Sequence, residues 1–181
     1  MLDLTFVKQS FEGFAKAVVK QAKSNLTRKN KNVSRDLYNS LDDWEVIVSQ
    51  QGSVTLSFKM EEYGEFQDRG VKGADPTKSH KMTEATPFKY TSKMPPLRDL
   101  EKWVSKRRFQ FRDERGKFKS YKSTAAIIQR SVYQKGIPQT LFFTRPFKMQ
   151  FKKLPPEIIT AFGNDVERFL TATFQDKKRF R

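Results

Sequence analysis

Leu2–Leu26 carries Val7, Phe11, Phe14, Val18, Ala22 and Leu26 at steps of three and four residues. That spacing puts all six on one face of a helix. Lys8, Glu12, Lys16, Lys20 and Lys23 fall largely on the other side. A helix this long with one apolar face has to bury it against a second layer. A sheet is the expected partner, ahead of a membrane surface.

The sheet is expected from Trp44–Val48 and Val54–Phe58, two runs rich in β-branched and aromatic residues. Gln50-Gln51-Gly52-Ser53 between them reads as a short turn, so the pair should form an antiparallel hairpin. Before the hairpin, Thr27–Asn32 (TRKNKN) is polar and basic, and Asn30 and Asn32 suit turns. Ser34 is expected to cap a short helix through Leu41, with Leu37 and Leu41 on its apolar side.

Tyr63-Gly64-Glu65-Phe66-Gln67-Asp68-Arg69-Gly70-Val71 reads as a strand end entering a loop. Tyr63 and Phe66 should pack inward while Glu62, Glu65 and Asp68 stay wet. Val71–Pro96 follows, with Gly73, four prolines and little periodicity. Long loops of this kind in compact domains are uncommon, and often functional or disordered. A mobile arm that orders on a partner is expected.

Leu97–Lys106 is a helix behind Pro95-Pro96, with Leu97, Leu100, Trp103 and Val104 inward. Residues 107–122 read as an inserted basic hairpin. Phe109 and Phe111 alternate with polar residues, and Asp113-Glu114-Arg115-Gly116 supplies the turn. Ser123–Lys135 is the next helix, stopped by Gly136 and Pro138. Leu141–Phe147 reads as a strand or its approach, ended by Pro146. A last helix is expected from Pro155 to about Gln175, with Asp176–Arg181 a basic tail. The fold class is therefore α+β: an antiparallel sheet, a long N-terminal helix and further helices packed on it. Residues 1–148 form the domain, with the loop arm at 71–96 and the hairpin at 107–122; 149–181 are the C-terminal helix and tail.

Among the 181 residues, seventeen Phe, two Trp and five Tyr suffice for a packed core. No run approaches the roughly 18 apolar residues of a membrane span. Asp3 and Lys8 interrupt the first apolar residues, so no secretory leader is expected. With no cysteine, disulfides and thiolate chemistry are excluded, and synthesis in a cytosol is the simplest fit. The formal net charge is +16, from 36 Lys+Arg against 20 Asp+Glu. Such a chain attracts polyanions: nucleic acid, acidic protein surfaces or anionic membrane.

No catalytic constellation stands out, and no cofactor or metal site is expected. The sole histidine, His80, lies in the loop arm, a poor place for a rigid base. The carboxylates Glu61, Glu62, Glu65 and Asp68, with Lys72 nearby, suggest one enzymatic alternative: a Mg²⁺-dependent nuclease. They do not alternate as one strand face would require, and solvated charges are the better reading. Arg107, Arg108, Arg112, Arg115, Lys117, Lys119 and Lys122 make 107–122 the most basic stretch, interleaved with Phe109, Phe111, Phe118 and Tyr121. Stacking plus phosphate contact would let such a hairpin hold a single strand; packing into the core is the commoner fate of alternating aromatics. Lys177, Lys178, Arg179 and Arg181 add a second basic candidate.

Several pieces, in order, resemble the tail-completion, or head-to-tail joining, proteins of tailed bacteriophages. They are the N-terminal helix, Val33-Ser34-Arg35-Asp36-Leu37-Tyr38-Asn39-Ser40-Leu41, the hairpin, Tyr63 to Gly70, Pro96 to Trp103, Ala125 to Ile137, and Phe143-Thr144-Arg145-Pro146-Phe147. Where members read Glu-Phe-Gly-Thr-Gly, this chain has Glu65-Phe66-Gln67-Asp68-Arg69-Gly70. The resemblance covers roughly 2–148. It implies a structural virion protein, made in the host cytoplasm, with no catalytic residues. Copies would form a ring in the neck, between head-side portal or adaptor proteins and tail-side proteins. Its basic residues would then face acidic neighbours or the DNA in the channel, with no role for a membrane. The alternative is a basic nucleic-acid-binding protein acting outside a virion.

Overall fold

The computed structural model describes residues 4–31, 34–49 and 53–179, with side chains as far as Arg168. Its fold is α+β, with seven helices and two antiparallel strand pairs among the described residues. No helix among them is long and apolar enough to cross a membrane. The chain divides into two compact units.

Unit 1 comprises Met1–Asn25, Asn39–Met60 and Phe142–Arg181. Most of α1 (Thr5–Arg28) lies here, with β1 (Trp44–Val48), β2 (Val54–Phe58), α6 (Thr144–Phe151) and α7 (Leu154–Arg179). The periodicity of α1 is realised: Val7, Phe14, Val18 and Ala22 are buried, as is Leu26 at its end. β1 and β2 pair in register from Trp44↔Phe58 to Val48↔Val54. Ser49 and Ser53 close the hairpin through backbone and hydroxyl bonds; the expected turn residues 50–52 lie outside the described residues. Alternation in β2 turns Val54, Leu56 and Phe58 toward α1 and α7, against Phe14, Leu154 and Ile158. Phe14, Phe58, Phe143 and Phe147 meet mostly edge to face, with Phe14–Phe147 centroids 5.4 Å apart.

One expectation changes here. Leu141–Phe147 is not extended: Leu141 turns with φ 48°, and α6 begins at Thr144. Pro146 sits in the first turn of α6, where its missing N–H has no intrahelical partner to lose. Phe143, Phe147 and Phe151 then stack at four-residue steps. Pro155 and Pro156 likewise occupy the first turn of α7, which runs to Arg179. One residue of α7 ties this unit together. Asp165 is 1% exposed, and its carboxylate accepts the amides of Phe6 (3.0 Å) and Val7 (3.1 Å). Those are free first-turn donors of α1, so Asp165 caps a helix from a distant part of the chain.

Unit 2 comprises Leu26–Tyr38 and Glu61–Leu141. It contains α3 (Tyr63–Arg69), β3 (Val71–Lys72), α4 (Leu97–Arg107), α5 (Tyr121–Lys135) and β4 (Gly136–Ile137). The short α2 (Asp36–Ser40) starts two residues after the expected cap, because Arg35 adopts a left-handed φ of 61°. Ser34 instead hydrogen-bonds the Tyr63 phenol. Asn30 does turn the chain, at φ 58°; Asn32 lies outside the described residues.

The Tyr63 stretch is a helix, not a strand end; Glu62 and Glu65 are exposed as expected, but Asp68, Tyr63 and Phe66 are not where the sequence puts them. Gly64 and Asp68, four apart, are buried, while Tyr63 and Phe66 are exposed. The amides of Thr140 and Leu141 bond the Asp68 carbonyl, which draws that side of α3 inward. The β pairing here is minimal: Val71↔Ile137 and Lys72↔Gly136. Strand backbones approach so closely that a Cβ on Gly136 would lie 2.0 Å from the Val71 carbonyl oxygen, and one on Gly73 1.9 Å from that of Gln134. Only glycine fits there.

The long loop arm between β3 and α4 is not free. Lys72 bridges Lys89, and Ala74 and His80 donate backbone N–H groups to Tyr133 and Lys135 at the end of α5. The Gln139 amide accepts from Thr83 and Glu84 and donates back to the Glu84 carbonyl. Tyr133 and Gln129 bond the carbonyls of Thr91 and Pro95. The expected mobile arm is therefore fastened along α5, by polar contacts that hydrophobic periodicity does not register.

Candidate functional site

The most basic stretch of the chain occupies the α4–α5 connection of unit 2. Val104 is fully buried and anchors α4. Arg108 ends that helix in the left-handed region (φ 51°, ψ 39°), and its amide bonds the Val104 and Ser105 carbonyls. Phe109 adds an amide to the Val104 carbonyl, 3.2 Å. This is a C-terminal stop of the kind glycine usually provides, here made by arginine. It turns the backbone away from the helix axis at the start of the basic run.

The expected hairpin at 107–122 is present but shorter. Arg107 belongs to α4, and Tyr121 and Lys122 to α5, which Ser120 caps by accepting the Ser123 amide at 3.1 Å. Between them Arg112 bridges Phe118 antiparallel, and the Lys119 amide reaches the Phe111 carbonyl at 2.8 Å. Asp113 organises the tip: its carboxylate takes the amides of Arg115 (3.0 Å) and Lys117 (2.9 Å). Phe111 ties the base of the hairpin to the buried Thr124 hydroxyl of α5.

The aromatics do not all pack inward. Phe118 is 57% exposed and Phe109 43%, whereas Phe111 is half-buried. Trp103, expected in the core, is 41% exposed. The helix face that carries Val104 inward points Trp103 outward, where the Arg107 guanidinium lies 5.5 Å from its ring. Arg112 sits over Phe118 at 4.2 Å and donates to the Gly116 carbonyl. Both arginines are thus held by aromatic faces and carbonyls, not by carboxylates.

Arg107 also donates to the Asn30 carbonyl at 2.6 Å, which brings the turn after α1 beside the end of α4. Lys29 and Lys31 flank that carbonyl. Crowding strips part of the water from the Lys31 ammonium, and the charges of Arg107 and Lys29 add to this, lowering its pKa from the ordinary lysine value. Among the described residues, no carboxylate pairs with Lys29, Lys31, Arg107 or Arg108. Sequence reasoning placed Lys29 and Lys31 in a polar linker and missed their part in this cluster. The only signal was a Lys/Arg-rich stretch closing a long helix.

The other candidates scatter. Arg115 and Lys117 are exposed on the hairpin, and Lys119 is half-buried. Lys177, Lys178 and Arg179 lie on the backbone of α7; their side chains, and all of Arg181, fall outside the described residues. The acidic residues proposed for a metal site do not converge. Glu65 pairs with Arg69 at 3.4 Å, while Asp68 is buried on the other side of α3. Among the described residues no three His, Asp or Glu side chains gather as ligands.

No family model, no curated protein and no solved structure compared with the chain matches it.

Proposed function

We propose that this chain is a structural virion protein of a tailed phage, forming part of the head-to-tail connector ring in the neck. The reading rests on the shared order of segments described above. The observation that carries it is the cationic edge at 103–118, where, among the described residues, rings and carbonyls rather than carboxylates hold Arg107 and Arg112. Its partners are copies of itself, head-side portal or adaptor proteins and tail-side proteins. A ring repeats one heterologous contact around an axis. The protein is made in the host cytoplasm and resides in the virion.

The test is genetic. Particles assembled without the protein should appear in electron micrographs as separate filled heads and tails; normal joined particles would refute the reading. Sizing of purified protein adds a second measure, with a ring, alone or with its neighbours, as the expected product.

A second reading, a nucleic-acid-binding protein outside a virion, is favoured by the exposed Phe109 and Phe118 rings beside arginines. It requires a monomer that binds DNA with a steep salt dependence and particles that form without it.

A further inference from the structure

Among the described residues, the ion pairs lie away from the turn after α1 and the end of α4 in unit 2. Lys8 pairs with Glu12, Lys23 with Asp42, Lys59 with Asp43 and Glu45, Arg69 with Glu65, and Lys78 with Asp75. What marks the corner of unit 2 formed by the turn after α1 and the end of α4 is that several cations meet there. Lys29, Lys31 and Arg107 gather there around the Asn30 carbonyl, with no carboxylate paired to them among the described residues, and Arg108 follows directly. The gathering is built, not incidental. Asn30 adopts a left-handed turn, and the Lys31 amide returns to the Leu26 carbonyl at 3.0 Å, which fixes the backbone of the lysine pair. Trp103 and the Asn30 carbonyl fix the guanidinium.

We propose that this corner binds the phosphodiester backbone of nucleic acid, with Arg107 and Lys31 as the principal phosphate contacts and Lys29 and Arg108 at the rim. Like charges held together cost free energy in the empty protein, and a phosphate between them removes that cost. Arg107 has five N–H donors and uses one on Asn30, so a fork remains for phosphate oxygens. Nucleic acid fits better than an acidic polypeptide because exposed rings lie in the adjoining α4–α5 connection. Phe109 follows Arg108 in the chain, and Phe118 lies across the hairpin under Arg112. A base has a flat face for those rings, whereas an aspartate or glutamate side chain has none. The proposal goes beyond the neck reading and stands without it.

Fluorescence anisotropy of the full chain with labelled random-sequence duplex and single strand, between roughly 50 and 200 mM salt, tests it. The double change Lys31→Gln/Arg107→Gln should weaken binding about tenfold or more and reduce the salt slope by about 1.5 to 2. Lys16→Gln/Lys20→Gln removes the same charge from exposed positions on α1 in unit 1 and should change neither beyond about twofold. The milder pair Lys29→Gln/Lys31→Gln leaves Arg107 and its Trp103 contact in place. It should keep the native circular dichroism and still flatten the slope. In a Trp44→Phe background, the emission of Trp103 should change on binding. Equal losses from the two double changes would mean diffuse attraction and no site. Tighter binding of polyglutamate than of either nucleic acid, or a silent Trp103, would also overturn the proposal. If Lys31→Gln/Arg107→Gln abolishes DNA binding yet heads and tails still join, the site stands and its role in joining is ruled out. If joining fails without the protein but DNA binding is indifferent to the corner, the neck reading stands alone.

Discussion

The two units hold themselves together by different means. Unit 1 is an aromatic interior: Phe14, Phe58, Phe143 and Phe147 interlock between a long helix, a hairpin and two C-terminal helices. Unit 2 also buries apolar side chains, Leu26, Leu37, Val71, Val104 and Ala125, but its long loop is tied largely by backbone and amide hydrogen bonds, from Gly73–Gly136 contacts to the Gln139 clip. The lesson is a division of labour. Apolar packing is non-directional and needs no fixed partner for each side chain. Hydrogen-bonded loops can be held in place without a large core, and one corner beside them gathers Lys29, Lys31 and Arg107.

The comparison can be broken most sharply in unit 1. Phe142 has no exposure at all, and Phe142→Ala should cost about 3–5 kcal/mol in urea unfolding. Gly136→Ala should come next, at roughly 2–4 kcal/mol, since its Cβ meets the Val71 carbonyl and its φ is 80°. Hydrogen exchange should place that loss at 71–73 and 133–137 in unit 2, leaving α1 protected; a uniform loss would contradict separate tethering. Asp165→Ala should cost about 1–3 kcal/mol, by orphaning two amides of α1, with fraying confined to its first turn.

The smallest effect is a titration. Bonds from the Thr77 hydroxyl and amide, then from Lys78, hold the Asp75 carboxyl at about 2. Because that folded value lies below the ordinary 3.8, the turn's contribution is complete above pH 3.8 and is lost as pH falls through about 2. Thr77→Ala should move the Asp75 midpoint, followed by carboxyl NMR, up toward 3.8. An unmoved midpoint would show that the hydroxyl bond contributes nothing.

Legibility in the sequence follows the same division. The α1 stripe and the β1–β2 alternation were readable because burial imposes a period on the chain. α6 was not, because Pro146 signals an ending when read alone and a beginning only once the turn at Leu141 is known. α3 was misread because Tyr63 and Phe66 look apolar, whereas tertiary bonds to the Asp68 carbonyl decide which side turns in. The basic hairpin was visible as composition. Its partner was not: Asn30 and Arg107 are 77 residues apart, and no local pattern links them.

Asp165 also sets an order of events during synthesis. The amides it receives lie 158 and 159 positions earlier. While a ribosome is translating unit 2, the first turn of α1 waits uncapped, and the Phe143 and Phe147 rings that will cover Phe14 do not yet exist. The C-terminal helices therefore act as a latch closed last, and a nascent chain stalled before residue 142 should expose the apolar stripe of α1 to chaperones.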